Sequence, residues 1–160
     1  MEKIERPMTS YVYEGDKSFS LEHIRQEYPV YGTTDYRHSA IEILQKNGSR
    51  ISDFKYNGYE IVPGKPKLQG LPAIYAESEE EAMTLRIFLK DSLTGVVVEL
   101  LYTIFSEYGA IARSVRIKNT GEMPVHLLTA MSLNLDLPDK DYVWMQLSGA
   151  WARERHVKMR

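Results

Sequence analysis

The stretch that decides the fold is Val125-His126-Leu127-Leu128-Thr129-Ala130-Met131-Ser132-Leu133-Asn134-Leu135-Asp136-Leu137. Apolar side chains occupy every second position, counted from Val125, and Thr129 is the one polar member of that row. Successive side chains point to opposite faces of a strand, whereas an amphipathic helix needs apolar spacings of three and four. The stretch therefore predicts a long β-strand with one face on a core.

Similar short segments lie before it, separated by residues typical of turns. Asn47-Gly48 and Asn57-Gly58 tolerate the positive φ angles that tight hairpin turns require. We predict hairpins that pair residues 40–45 with 50–56, 84–90 with 96–105, and 110–118 with 123–137, and a further turn at Asn57-Gly58 before 59–62. The interval 63–72 contains three prolines and two glycines and is predicted to be a loop. Sequential short strands of this kind predict an all-β fold, an antiparallel β-sandwich or barrel.

Composition excludes several classes of protein. The chain has 160 residues, which suits one domain, and its formal net charge of −2 leaves no basic excess for nucleic acid. It has no cysteine, and its four histidines lack metal-ligand spacing, so we expect neither a metal site nor another cofactor. No apolar stretch approaches the ~18 residues needed to span a bilayer. We expect a cytoplasmic protein with no membrane partner.

Aromatic side chains are the most suggestive feature of the composition. Eleven tyrosines and two tryptophans are present, and many of them lie in turn-rich segments: Tyr28, Tyr31, Tyr36, Tyr142, Trp144 and Trp151. Rings near loops are common on sugar-binding faces, because they pack on the C–H face of a pyranose. Aromatic residues also fill the cores of β-sandwiches, and that is the commoner explanation.

Several sequence blocks resemble family 36 α-galactosidases. They occur in the family's order over nearly the whole chain, and the most specific are Glu27-Tyr28-Pro29-Val30-Tyr31-Gly32, Thr34-Asp35-Tyr36-Arg37, Leu133-Asn134-Leu135-Asp136-Leu137-Pro138 and Leu147-Ser148-Gly149-Ala150-Trp151-Ala152-Arg153-Glu154-Arg155. The resemblance implies that residues 1–160 are part of an N-terminal β-sandwich domain, a supersandwich of the galactose-mutarotase-like type. The family's catalytic (β/α)₈ barrel is absent from this chain, and the sandwich is expected to be incomplete.

The resemblance also implies a function. Family members hydrolyse terminal non-reducing α-D-galactose from galactosides such as melibiose and raffinose with retention, using two barrel aspartates. The motifs that carry those aspartates and the galactose pocket, K-W-D-x-N-R and D-D-G-W-F, do not occur here. We therefore expect no catalytic residue in this chain and predict that it is inactive alone, serving oligomerisation and pocket shaping.

The same resemblance suggests residues that contact substrate. Family members are usually tetramers, and residues of the N-terminal region line a neighbouring subunit's pocket. On this basis Tyr142, Glu5 and Lys17 are expected to bind the α-galactoside in a homo-oligomer. Glu154, between Arg153 and Arg155, is expected to belong to a buried or interfacial ion network.

Two other functions remain open from the sequence. A free-standing carbohydrate-binding β-sandwich module would explain the aromatic content, and the length of the parent gene distinguishes it. An aldose mutarotase-like enzyme shares the sandwich fold but would need a histidine–carboxylate pair in a pocket. The apolar row that ends at Leu137 needs a covering sheet. We expect this chain to be a piece of a larger protein whose other strands supply that sheet, or else to self-associate through an unpaired strand edge.

Overall fold

The computed structural model describes residues 25–32, 37–70, 73–137 and 140–160. Within these ranges the chain is built from β-strands and two short 3-10 helices, Glu79–Glu81 and Ser106–Tyr108. The strands are β1 (Ile41–Leu44), β2 (Phe54–Pro63), β3 (Met83–Asp91), β4 (Val96–Phe105), β5 (Ala110–Asn119), β6 (His126–Ala130), β7 (Met145–Ala150) and β8 (Arg153–Met159). The all-β prediction is confirmed. No helix in the described ranges has the length and apolar character needed to cross a membrane.

The largest sheet is a four-stranded antiparallel meander in the order β2-β3-β4-β5. Strands β3, β4 and β5 pair in continuous register, with Ile87 opposite Leu100 and Leu100 opposite Val115. Opposed residues share a face, so this row continues the apolar side of the sheet across three strands. The predicted hairpin between β3 and β4 is therefore confirmed. Asp91 closes its turn by accepting hydrogen bonds from the Leu93 N–H (2.9 Å) and the Thr94 hydroxyl (3.0 Å).

A second layer, the antiparallel pair β1–β6, covers part of this apolar face. The buried core between the layers consists of Tyr28, Ala40, Ile41, Ile43, Val96, Val98 and Leu100. Most of its members are β-branched or aliphatic residues of β1 and β4, which suit a pleated surface that is buried against another sheet. The two layers form the predicted antiparallel β-sandwich.

Two of the predicted hairpin pairings are wrong. The Asn47-Gly48 turn forms, with Gly48 at φ 83° and its N–H donating to the Gln45 carbonyl at 2.9 Å. However, β1 pairs with β6, which lies in the same layer, and not with the segment that follows the turn. Likewise β5 pairs with β4 and not with β6. Ile41 and Ile43 must be buried, and that requirement outweighs the local tendency to fold back.

The second predicted turn, at Asn57-Gly58, is a bulge. β2 continues through it, and Gly58 has φ 104°. Between Tyr56 and Tyr59 the strand contains one more residue than its partner, which has Leu89 and Ile87 at the matching positions. A bulge of this kind accommodates an extra residue by bending one strand, and glycine supplies the unusual backbone angle.

The long strand expected over 125–137 ends early. Pairing in β6 stops at Ala130, and Leu133, Leu135 and Leu137 are exposed. Asn134 donates to the Gln26 carbonyl at 2.6 Å, while the Gln26 N–H donates to Asp136 at 2.8 Å. These bonds tie the polar residues of the stretch to the segment 25–32 and divert the backbone from the sheet.

The last two strands, β7 and β8, form a separate hairpin. Its turn is Trp151-Ala152, and the register shifts beside Gly149. A β-carbon at Gly149 would lie 2.7 Å from the Arg153 carbonyl oxygen, so only glycine fits this close approach. Glu154 is exposed, so the prediction of a buried ion network there is wrong; an interfacial role stays a prediction.

Candidate functional site

Of the three residues that the sequence suggests for substrate contact, the structure describes Tyr142. Tyr142 lies just before β7, its backbone N–H donates to the Lys140 carbonyl at 2.7 Å, and its side chain is 55% exposed. Glu5 and Lys17 lie outside the described residues. Tyr142 is therefore accessible to a partner or a ligand, and the roles of all three residues stay predictions.

Tyr142 precedes an apolar surface on the β7–β8 hairpin. Met145 lies opposite Met159 and Leu147 lies opposite Val157, so these four side chains share one face, and all four are exposed. At the base of the hairpin the backbones of Trp144 and Arg160 exchange two hydrogen bonds, of 2.8 and 3.0 Å. At its tip the side chain of Trp151 is 95% exposed. Among the described residues nothing covers this face.

The hairpin is also basic. Its second strand and the residue that follows carry Arg153, Arg155, Lys158 and Arg160, against the single acid Glu154. All these side chains are exposed. Arg155 has a left-handed φ of 61°, and so does the turn residue Ala152. Because non-glycine residues rarely adopt this conformation, the geometry at the tip is constrained by the hairpin itself.

A second surface is a groove at the end of the large sheet, which we call the acidic groove. It has a volume of about 410 Å³, and its lining includes Ile74, Tyr75, Glu77, Glu81, Tyr108 and Ile111. The side chains of Ile74, Tyr75, Tyr108 and Ile111 are each more than half exposed, whereas Phe105 at the base of the lining is buried. Glu81 accepts a hydrogen bond from the Glu77 N–H at 2.9 Å, which fixes the acidic side of the groove. Further exposed carboxylates follow on the adjoining 3-10 helix.

The other face of the large sheet carries an ion network, Glu60–Arg86–Glu99–Arg116, that crosses all four strands. Glu99 is only 2% exposed and receives the Arg86 guanidinium directly, while Arg116 lies 3.7 Å away. The hydrogen bond to Glu99 raises the pKa of Arg86, although burial opposes this. Glu99 is thus a structural anion and is not available as a catalytic group.

A cluster of side chains joins the segment 25–32 to the large sheet. The Arg113 guanidinium lies 4.0 Å above the ring of Tyr102 and 3.3 Å from the Glu27 carboxylate. The same carboxylate accepts a hydrogen bond from the Tyr102 hydroxyl. The Tyr28 hydroxyl donates to the Met131 carbonyl at 2.9 Å. Burial raises the pKa of the Tyr28 phenol, and the positive charge of Arg113 partly offsets this. Burial and the hydrogen bond to Glu27 raise the pKa of the Tyr102 phenol.

These pKa shifts predict a loss of stability at high pH. A phenol whose pKa is raised on folding stabilises the folded state below its unfolded pKa, and this contribution disappears as the pH rises above about 10. We expect the urea midpoint of the chain to fall with pH in that range. Tyr28→Phe should make the fall shallower and cost roughly 1 kcal/mol at neutral pH through the lost hydrogen bond.

Urea titrations between neutral pH and pH 11 measure this slope. Tyr75→Phe is the matched control, because the Tyr75 side chain is 72% exposed and its phenol is therefore already solvated. An unchanged slope in Tyr28→Phe, or an equal change in the control, would contradict the burial argument.

No cluster of metal-ligand side chains occurs within the described ranges. No three side chains of the His, Cys, Asp and Glu types come together there as metal ligands would. The two carboxylates that are almost fully buried, Asp91 and Glu99, are held by the partners described above.

Sequence reasoning missed the acidic groove, the ion network and the Arg113 cluster. Their members are far apart in the chain, such as Glu27 and Arg113, and only strand pairing brings them together. One signal was available, because the charged Glu99 interrupts the apolar run of β4. A charge within a buried strand indicates a paired partner.

The chain is similar to known proteins over nearly all of its length. The model of the family described as "Glycosyl hydrolase family 36 N-terminal domain" matches residues 2–160. The α-galactosidase AgaA of Geobacillus stearothermophilus is 46% identical over 145 residues, which is 91% of this chain and 20% of that protein. The bifunctional α-galactosidase/sucrose kinase AgaSK of Mediterraneibacter gnavus is 41% identical over 89% of this chain and 15% of its own length.

Solved structures agree with these relatives. The crystal structure of the AgaA family 36 α-galactosidase matches with a TM-score of 0.86 over 91% of this chain and 20% of that one. The α-galactosidase of Lactobacillus brevis, 34% identical, matches with a TM-score of 0.84 over 99% of this chain and 21% of its own. The chain thus spans about a fifth of the length of these relatives.

Proposed function

Since this chain belongs to the glycosyl hydrolase family 36 N-terminal domains, we propose that its parent protein is a retaining α-galactosidase. In this proposal the parent removes terminal non-reducing α-D-galactose from galactosides of the melibiose and raffinose type. The observation that carries it is the 46% identity to AgaA over 91% of the chain. AgaA variants have been crystallised with raffinose and with stachyose, which are galactosides of this type.

Within the parent, the proposed role of this segment is to shape the pocket and to hold subunits together in a cytoplasmic tetramer. Two surfaces support a contact role: the uncovered apolar face of the β7–β8 hairpin and the acidic groove. Large exposed apolar patches mark interaction sites in soluble proteins. The alternatives weighed from the sequence gain no support, because the relatives described above are neither free-standing modules nor mutarotases.

Tyr142→Ala in the full-length parent tests the pocket-shaping role. If the ring contacts the bound galactoside of a neighbouring subunit, its loss should raise KM for raffinose several-fold. The thermal midpoint should change little, because the side chain is already more than half exposed in this domain. Initial rates of galactose release over a range of raffinose concentrations give both constants.

Tyr59→Ala is the matched control, because Tyr59 is similarly exposed but lies on β2, in the large sheet. It should leave KM unchanged. A drop in thermal midpoint with unaltered kinetics would make Tyr142 a structural residue. A parent that releases no galactose from any α-galactoside would overturn the proposed activity itself.

A further inference from the structure

Beyond the end of β6, side-chain hydrogen bonds hold the backbone where the sheet ladder has stopped. Asn134 donates to the Gln26 carbonyl at 2.6 Å, and Asp136 accepts a hydrogen bond from the Gln26 N–H at 2.8 Å. The same carboxylate oxygen, Oδ2 of Asp136, also accepts a hydrogen bond from the Arg37 guanidinium. One carboxylate therefore joins parts of the chain that lie about 100 residues apart in sequence.

This cluster is largely buried by the chain's own residues. The side chains of Arg37 and Asp136 are 21% and 26% exposed, and any further part of a larger protein that packed against them would only bury them more. Hydrogen bonds between ionised groups are roughly twice as strong as those between neutral groups. The position of Asp136 is thus set by strong contacts within the described residues.

The connection that carries Tyr142 runs between two anchors. Asp136 lies six residues before Tyr142, and Trp144, two residues after it, exchanges backbone hydrogen bonds with Arg160. Tyr142 itself precedes β7 and lies outside the strands. Binding residues often lie on loops that a rigid scaffold positions, so the course of this connection depends on the two anchors.

We propose that Asp136 is a positioning residue for the galactoside pocket of the parent: by binding Gln26 and Arg37 it fixes the start of the connection that carries Tyr142. This inference rests on the proposed pocket-shaping role of Tyr142 and adds the residue that supports it. In this proposal Asp136 does not touch the substrate. Supporting residues of this kind matter because a displacement of about 1 Å at a binding group weakens its contact substantially.

Asp136→Asn in the full-length parent tests the role. The substitution keeps the size of the side chain but removes the charge that binds Arg37. KM for raffinose should rise at least about threefold while kcat changes by less than about twofold, because the loss affects substrate binding and not the reacting groups. Initial rates of galactose release give both constants. A merely unstable variant would differ, since unfolding lowers the active fraction and the apparent kcat but leaves KM of the folded enzyme unchanged.

A double variant shows whether Asp136 acts through Tyr142. In the Tyr142→Ala background, Asp136→Asn should raise KM by less than about 1.5-fold, because the ring that Asp136 positions is already gone. Effects of the two substitutions that multiply would assign Asp136 to another part of the pocket and overturn the proposal.

Glu42→Gln is the matched control. Glu42 is a carboxylate of similar burial, 17% exposed, and it pairs with Arg50 at 2.7 Å. This ion pair lies outside the segments 25–32 and 131–137, so its loss should leave KM unchanged. The control therefore measures what the loss of any ion pair in this domain does to the enzyme.

An unchanged KM in Asp136→Asn, or an equal rise in Glu42→Gln, overturns the positioning role. If Asp136→Asn yields no folded enzyme, Arg37→Gln, which leaves the bond between Gln26 and Asp136 in place, is judged by the same criteria. A rise in KM with Tyr142→Ala alone refutes this inference and leaves the proposed pocket shaping standing. No rise with Tyr142→Ala refutes both.

Discussion

The 160-residue chain by itself should release no galactose from an aryl α-galactoside, whereas the full-length parent should do so readily. Retaining hydrolysis needs two carboxyl groups about 5–5.5 Å apart on either side of the glycosidic bond. Here Asp91 closes a turn and Glu99 is neutralised by Arg86 inside a sheet. The sequence predicts that this chain lacks such a pair. Without it the enzymatic acceleration, typically 10⁶-fold or more, would be lost, so we expect roughly a complete loss of activity.

A fluorogenic α-galactoside assay at equal molar concentrations of chain and parent measures this difference. Heat-denatured chain defines the background. Turnover by the native chain that disappears on substitution of one of its own carboxylates would disprove the assignment of this segment as non-catalytic. Turnover that survives every such substitution would indicate a contaminating enzyme.

Arg86→Met should destabilise the fold by about 3–5 kcal/mol, the second-largest effect that we expect. Glu99 is 2% exposed and binds the Arg86 guanidinium, so removing that partner leaves a buried carboxylate without its main counter-charge. A domain is stable by only about 5–15 kcal/mol in total, so this change takes a large part of the margin. Urea denaturation at neutral pH measures it from the shift in midpoint.

Lys90→Met is the matched control, because Lys90 lies on β3 with Arg86 but is exposed and belongs to none of the ion pairs described. It should change stability by less than about 0.5 kcal/mol. The double variant Arg86→Met with Glu99→Met should be more stable than Arg86→Met alone, since it removes the unpaired charge. Strictly additive effects would show that the two side chains do not interact.

The structure shows one long-range contact that the family resemblance did not predict. The blocks around Tyr28 and Asp136 are widely separated in sequence, yet Gln26, Tyr28 and Arg37 all bond to residues of the segment 131–136. Tyr142, which the resemblance predicts to contact substrate, is exposed in this chain. Whether it makes that contact depends on the position of a neighbouring subunit.

The sequence by itself determined the strand character, the Asn47-Gly48 turn and the family, because alternation and turn preference act over a few residues. Only the tertiary structure decided which strands pair. The chain turns back at Asn47-Gly48 directly after β1, but β1 pairs with β6, more than 80 residues later. This pairing buries more apolar surface, because Ile41 and Ile43 then cover Val98 and Leu100. It also decided that the alternating stretch ends as a strand at Ala130, where side-chain hydrogen bonds to Gln26 replace the sheet ladder. Burial and polar satisfaction are summed over the whole fold, and for that reason a local pattern does not reveal them.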